Sequence, residues 1–122
     1  MPNVELNLIV LRSADIDRAA DFYRLLGLEF TKHRHGKGPE HYASELGALV
    51  FEIYPRQQDS DISIGTRIGF RVPSVEEAFA KLEEAGAKIV SPPKDSAWGR
   101  RAVVDDLDGH RVELTEASPS VL

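Results

Sequence analysis

Hydrophobic and polar positions follow the same order twice along the chain. In residues 9–30, and again in residues 67–89, an alternating segment is followed by a segment of helical period and then by a glycine. An offset of 59 positions aligns Ile9 with Ile68 and Gly27 with Gly86. An ungapped self-similarity of this length indicates a duplicated supersecondary unit. Two copies in one short chain predict a pseudo-two-fold arrangement.

Each copy predicts a strand, a helix and then three further strands. The first helix is expected over Ile16–Leu26, with Asp15 or Ser13 as its N-cap. The second is expected from Val75 to Ala85, after a capping box formed by Ser74 and Glu77. Alternation and β-branched residues predict strands at Val4–Arg12, Leu28–Thr31, His41–Leu46, Ala48–Tyr54, Arg67–Val72, Ala87–Val90, Arg101–Asp105 and His110–Glu116.

Proline and glycine mark the expected interruptions in the second copy. Ser91–Pro92–Pro93 predicts an extended turn, and residues 94–99 predict a loop that carries Trp98. Residues 106–109 are expected to turn the last hairpin, and His110 after them is expected to be exposed.

The predicted elements define an α+β fold made of two βαβββ modules. One helix per module cannot cover both faces of a sheet, so one face is expected to pack on the helix and the other to line a cleft or meet a partner. We expect a single domain, with module one at about 4–54, a connector at 55–66 and module two at about 67–116.

Strand parity separates the two faces, because alternate side chains point to opposite sides of a strand. Core-like residues such as Phe51, Ile53, Val112 and Leu114 define the helix side. The opposite, open face is then predicted to carry Leu8, Val10, Arg12, Val50, Glu52, Tyr54, Arg67, Gly69, Arg71 and Glu113.

Composition narrows the function classes. The formal net charge of −5 over 122 residues disfavours a nucleic-acid surface, which needs a clustered basic face. The absence of cysteine excludes disulfides, thiolate metal sites and thiol nucleophiles. No apolar run approaches the length of a membrane span, and no signal-peptide pattern is seen, so a cytoplasmic location is expected.

Four segments together resemble a known superfamily: NLIVLRSADIDRAADFYRLLGLEF, VFEIYP, RIGFRVPSVEEAFAKLEEAGAKI and WGRRAVVDDLDGHRVEL. They are similar to the vicinal oxygen chelate superfamily of glyoxalases, bleomycin-resistance proteins and extradiol dioxygenases. The resemblance covers nearly the whole chain, and D-x-D-G-x-x-x-E-L is its most specific part. It implies two βαβββ modules, commonly in a homodimer whose modules share each cavity.

Metal-using members of that superfamily place His, Glu, His and Glu at four matched positions. The resemblance assigns those positions to Leu8, Glu52, Arg67 and Glu113. Leucine cannot ligate a metal, and arginine brings a fixed positive charge. We therefore expect no cofactor, with the Arg67 guanidinium between Glu52 and Glu113, and a divalent metal as the disfavoured alternative.

Glu52 and Glu113 are the candidate catalytic carboxylates. The candidate ligand-binding residues are Arg67, Leu8, Val10, Arg12, Tyr54 and Trp98. Arg12 and Arg71 could contact an anionic ligand, although arginines are common at strand ends. His33 and His35 are expected to be exposed in the loop 32–40. His41 could supply an imidazole, but parity does not fix its face and we do not expect it to be a ligand.

Three functions remain open from the sequence. The first is a metal-free protein that binds or sequesters a small molecule; the acidic net charge would suit a cationic or amphipathic compound. The second is a lyase, isomerase or dioxygenase-type enzyme that uses a non-standard metal or a carboxylate base. The third is a non-catalytic partner or regulatory module. A fold that hosts unrelated activities does not decide among them.

Overall fold

The computed structural model of the chain describes residues 3–97 and 99–116. The chain divides after Ser63 into two compact units. The first unit contains β1 (Leu8–Ser13), α1 (Ile16–Arg24), β2 (Thr31–His33), β3 (His41–Leu46) and β4 (Leu49–Pro55). The second contains β5 (Arg67–Val72), α2 (Val75–Glu84), β6 (Lys88–Ser96), β7 (Gly99–Asp105) and β8 (Arg111–Glu116).

The two units have the same topology. The first sheet has the strand order β1-β4-β3-β2, and the second has the equivalent order β5-β8-β7-β6. The pairs β1–β4 and β5–β8, at one edge of each sheet, are parallel, whereas the other neighbours are antiparallel. The predicted α+β fold of two βαβββ modules is therefore confirmed.

Helix α1 covers one face of the first sheet. The Asp15 carboxylate accepts a hydrogen bond from the Arg18 N–H at 3.1 Å, which caps the helix as predicted. Gly27 follows the helix with a φ of 97°, a conformation that favours glycine. Aromatic and aliphatic side chains form the core beneath the helix: Leu11, Ala19, Ala20, Phe22, Tyr23, Phe51 and Ile53.

Helix α2 covers the second sheet in the same way. The Ser74 hydroxyl accepts from the Glu77 N–H at 3.2 Å, and the Glu116 carboxylate of β8 accepts from the Val75 N–H at 2.9 Å. Two of the free amides at the start of the helix are thereby satisfied. The core of this unit is formed by Val75, Ala78, Phe79, Leu82, Ala102, Val104, Val112 and Leu114.

The largest errors in the predicted boundaries concern three strands. Strand β1 begins at Leu8 rather than Val4, and β2 occupies Thr31–His33 rather than Leu28–Thr31. The predicted turn at 91–93 and much of the loop at 94–99 belong instead to the continuous strand β6, which has irregular register near Ser91. Because β6 is an edge strand, its outer side has no neighbouring strand to which an N–H would have to donate, so proline is tolerated there.

The expected exposure of His110 was also wrong. His110 is 1% exposed, and its Nδ1 lies 2.7 Å from the Oδ2 atom of Asp106. Oδ1 of Asp106 accepts the backbone N–H groups of Asp108 and His110, both at 2.9 Å. The side chain that follows the turn is therefore held inside the hairpin by a buried carboxylate, a pairing that strand parity does not reveal.

Among the described residues, no helix is both long enough and apolar enough to cross a membrane.

Candidate functional site

The open face of the first sheet carries the residues that strand parity predicted for it. Strand register places Leu8 opposite Val50, Val10 opposite Glu52, and Arg12 opposite Tyr54. Leu8 and Val10 are 49% and 36% exposed, whereas Leu11 between Val10 and Arg12 is buried against the helix. The predicted orientation of these strands is confirmed, and it leaves apolar side chains accessible beside a carboxylate.

His41 belongs to this open face and is its most buried member. The imidazole is 1% exposed and stacks on the Tyr54 ring, with ring centroids 4.1 Å apart and planes inclined by 9°. Its Nε2 lies 3.6 Å from the Glu52 Oε2 and 3.4 Å from the Tyr54 hydroxyl oxygen. Arg12 also contacts the Tyr54 ring, with its guanidinium carbon 5.3 Å from the ring centroid.

Sequence reasoning could not assign His41 to a face because the length of the preceding turn was unknown. The register supplies the missing fact: β3 and β4 place Ala43 opposite Glu52, and His41 lies two residues from Ala43 on the same side. A buried histidine beside a predicted site carboxylate is therefore a feature of this face that parity alone did not find.

Two more imidazoles lie next to His41. The ring centroids of His33 and His35 are 6.0 Å and 5.1 Å from that of His41, and both side chains are exposed, as predicted. The His33 Nε2 lies 2.7 Å from the Thr31 hydroxyl oxygen. A shallow depression of about 430 Å³ lies along the same face and is lined by Glu29, Thr31, His33, Ala43, Glu45 and Val50.

Glu113 is the centre of the open face of the second sheet. Its Oε1 accepts from the Arg67 Nε–H at 2.6 Å and from the Arg101 Nη2 at 2.6 Å; the Arg67 Nη2 donates to the same oxygen. The hydrogen bonds from Arg67, followed by those from Arg101, hold the pKa of the Glu113 carboxyl below its usual range despite partial burial. Glu113 is thus held as a carboxylate.

The Arg67 guanidinium was expected to lie between Glu52 and Glu113. Its contact with Glu113 is the part of this expectation that lies within one unit. Glu52 belongs to the other unit, where its described neighbour is His41, so its pairing with Arg67 stays a prediction. Sequence reasoning missed Arg101. Parity on the last hairpin was a usable signal, because Arg101 alternates with the buried residues Ala102 and Val104.

The remaining predicted residues differ in how they are placed. Arg71 is exposed on β5, on the same side of the sheet as Arg67. Trp98 lies outside the described residues, so its predicted role in ligand binding stays a prediction.

Comparison with known proteins identifies the family. A model of the Glyoxalase/Bleomycin resistance protein/Dioxygenase superfamily matches residues 5–114. The chain belongs to this superfamily. An uncharacterised protein of Mycolicibacterium smegmatis is 31% identical over 110 residues, which is 90% of this chain and 91% of the relative.

Solved structures share the fold of this chain. TnmS3, an antibiotic binding protein from Streptomyces sp. CB03234, superposes with a TM-score of 0.75 at 22% identity, covering 97% of this chain and 99% of TnmS3. TioX from Micromonospora sp. ML1 superposes with a TM-score of 0.69 at 27% identity, covering 93% of this chain and 98% of TioX. The resemblance inferred from the sequence motifs is confirmed.

Two of the four positions that superfamily resemblance assigns to a metal carry side chains that are not metal ligands. Leu8 has no ligand atom, and the Arg67 guanidinium donates to Glu113, the carboxylate that would otherwise bind a cation. A metal at Glu113 would lie beside two arginines that donate to its Oε1 and would experience their positive charge.

A second possible donor set occurs at the last hairpin. Asp106, Asp108 and His110 place ligand atoms within 4.8 Å of one another. Both Asp106 oxygens already accept hydrogen bonds, from two backbone amides and from His110. The arrangement is explained by the buried turn that it closes, and a cation there would compete with those bonds.

Proposed function

We propose that this protein binds or sequesters a small molecule and does so without the divalent metal that other members of its superfamily use. The observation that carries the proposal is the hydrogen bonding of Glu113 to Arg67 and Arg101. A carboxylate neutralised by two guanidinium groups has no need of a metal for charge balance. TnmS3, which has the same fold, is an antibiotic binding protein, and this supports a binding function on this scaffold.

The chemistry of the first sheet supports an amphipathic ligand. Leu8 and Val10 offer exposed apolar area, and Tyr54 offers an aromatic edge next to a carboxylate. Accessible apolar surface with a few convergent polar groups is typical of small-molecule sites. We assign ligand contact to these residues together with Arg12.

The test measures thermal unfolding of the protein against a panel of amphipathic compounds, with and without EDTA. A ligand at about 100 times its Kd should stabilise the fold by about 2.7 kcal/mol, whether or not the chelator is present. Val10→Glu should weaken the effect because it puts a charge beside Glu52. Val90→Glu, at a similarly exposed valine of the second unit, is the matched control.

Elemental analysis provides the contradicting outcome. Stoichiometric Ni, Zn, Fe or Mn that is retained in a His33→Gln, His35→Gln double variant but lost in Glu52→Gln and in Glu113→Gln would overturn the metal-free proposal. The histidine variant matters because exposed imidazoles bind such metals adventitiously.

A second candidate function rests on the position of Glu52. The buried imidazole of His41 lies 3.6 Å from this carboxylate; this is longer than a hydrogen bond, but such contacts often tighten when a substrate binds. Glu52 is therefore the better candidate for a general base in a lyase or isomerase, because two arginines hold Glu113 as a weakly basic carboxylate. Turnover of a bound compound that is abolished in Glu52→Gln, with binding retained, would favour the enzyme.

A further inference from the structure

We propose that the open face of the second sheet binds the carboxylate group of an organic anion. This inference rests on the proposed small-molecule binding function and names the chemical class of the ligand. The surface concerned is called the arginine face, and it carries Arg67, Arg71, Arg101 and Arg111 together with Glu113 and Asp105.

The strand register places the arginines of the arginine face in two rows. Arg71 of β5 and Arg101 of β7 both lie opposite Thr115 of β8, so one row of the sheet carries two arginines on either side of a hydroxyl. Arg67 and Arg111 lie opposite each other in another row. The two rows flank the row of Glu113, and side chains of alternate residues on neighbouring strands project from the same side.

The face already binds one carboxylate. Arg67 and Arg101 approach Glu113 from opposite flanking rows, and both donate to the same oxygen at 2.6 Å. Two guanidinium groups that converge on one point form the geometry used to recognise carboxylates. Glu113 therefore acts as an internal occupant of an anion site.

Positive charge remains in excess after the internal pairs are formed. Arg111 pairs with Asp105 at 3.2 Å, and Glu113 balances only one of the two arginines that contact it. Within residues 3–97 and 99–116, the Arg71 guanidinium makes no ion pair. Four guanidinium groups thus face two carboxylates on this surface, although the whole chain carries a net charge of −5.

Gly69 leaves room for a ligand at the centre of the arginine face. It lies between Arg67 and Arg71 on β5 and opposite Glu113. A Cβ at this position would meet only the Glu113 Cβ, at 3.9 Å, so the backbone is accessible there. A planar organic anion can lie over Gly69 with its carboxylate directed to Arg71 and Arg101.

The charges close to the arginine face determine whether it favours an anionic or a cationic ligand. Charges farther away than about 10 Å are largely screened at 0.1 M salt, so the overall acidity of the chain does not govern the arginine face. The expectation of a cationic compound, which followed from net charge, therefore does not apply to this surface.

The experiment compares two probes of the same size, naphthoate and naphthamide, which differ in charge at one group. Binding is followed by the NMR amide shifts of β5 and β8. We expect naphthoate to bind at least about tenfold more tightly than naphthamide, since one charge-assisted hydrogen bond is sufficient for that ratio. The preference should decrease as salt is added.

Three variants test the residues. Arg71→Gln should weaken naphthoate binding by about tenfold and leave naphthamide unchanged. Arg18→Gln removes the same charge from an exposed position on α1 and should have no effect. Glu113→Gln should strengthen naphthoate binding, because it removes the carboxylate that competes for the arginines. If Glu113 merely contacted the ligand, its replacement would not increase the affinity for naphthoate.

The outcomes separate this inference from the function on which it rests. Equal binding of the two probes, or unchanged naphthoate binding in Arg71→Gln, would overturn the anion site while the binding function stands. If neither probe binds and no compound of the amphipathic panel stabilises the protein, both proposals fail. Circular dichroism and thermal unfolding of each variant confirm that binding is measured on folded protein.

Discussion

Individual residues on the two open faces have different chemical environments although the modules repeat. Glu52 has a buried imidazole as its neighbour, whereas Glu113, its repeat partner, is held by two guanidinium groups. The same residue type at equivalent strand positions can therefore take different roles. Neighbours on the adjacent strands set the role, and these neighbours are not repeated.

The protonation of Glu113 should be visible in the pH dependence of stability. Its carboxyl pKa is lowered in the folded protein from an ordinary value of 4.5, so its contribution to the free energy of unfolding is complete above pH 4.5 and is lost as the pH falls through the folded pKa. Wild type should exceed Glu113→Gln in stability at pH 7, and the difference should shrink in acid. Urea unfolding at several pH values measures it.

The control for this titration is Glu45→Gln, which changes an exposed glutamate of the first sheet. A difference between wild type and Glu113→Gln that is constant from pH 7 to pH 3 would contradict the assignment of the arginines as the cause.

Residues of the site were predictable where parity applied and unpredictable where a turn intervened. Leu8, Val10 and Glu52 were assigned to the correct face because they alternate with helix-facing residues in uninterrupted strands. His41 and His110 both follow turns of unknown geometry, so alternation could not place them. Both are buried and paired with carboxylates.

At the scale of elements, the helices were predicted best. Their period, their caps and the glycines after them are all local signals, and both helices begin at the predicted residue. Strand β6 was the main failure, because proline is usually read as an interruption. Its position at the edge of the sheet, which is a tertiary fact, is what allows the strand to continue.

The cap of α2 provides a test at this scale. Ser74→Ala removes the acceptor for the Glu77 N–H and should lower the free energy of unfolding by about 1 kcal/mol, whereas Ser74→Gly should cost only a few tenths. Glu116 still accepts from the Val75 N–H, so the helix retains one capped amide. Denaturant midpoints measure the change, with Ser60→Ala in the connector as control.

A loss in Ser74→Ala no larger than in Ser60→Ala would mean that the Glu116 carboxylate alone caps the helix. A double variant, Ser74→Ala with Glu116→Gln, then distinguishes the two acceptors, because it should lose more than the sum of the single changes if each can replace the other.

For the whole molecule, duplication preserves the sheet order and the helix-covered cores while the open faces diverge. Core positions must match a helix in volume and polarity, so both units keep aromatic and aliphatic side chains there. Open faces lack that constraint. One face carries apolar and histidine side chains and the other carries arginines. Function on this scaffold is thus determined by the side chains of the sheet face that does not pack against a helix.

Superfamily resemblance also implies a homodimer, and the first unit carries a feature that supports one. Val4 and Leu6 are 80% and 70% exposed just before β1, which is an edge strand of its sheet. An open strand edge can pair with another chain, and adjoining exposed apolar side chains add area to such a contact. We expect light scattering to give a mass of twice 13.5 kDa at micromolar concentration.

Leu6→Glu should weaken this association at least about tenfold, since burial of one leucine contributes about 1.5–3 kcal/mol and 1.4 kcal/mol is a factor of ten. Leu25→Glu, at a partly exposed leucine that caps α1, is the matched control and should leave the mass unchanged. A monomer at all concentrations, or equal effects of the two variants, would place the association elsewhere or exclude it. Leu6 lies outside the strand residues assigned to the ligand, so the Leu6→Glu variant separates assembly from ligand binding. If each chain holds a complete site, compounds that stabilise the wild-type protein should also stabilise the Leu6→Glu monomer.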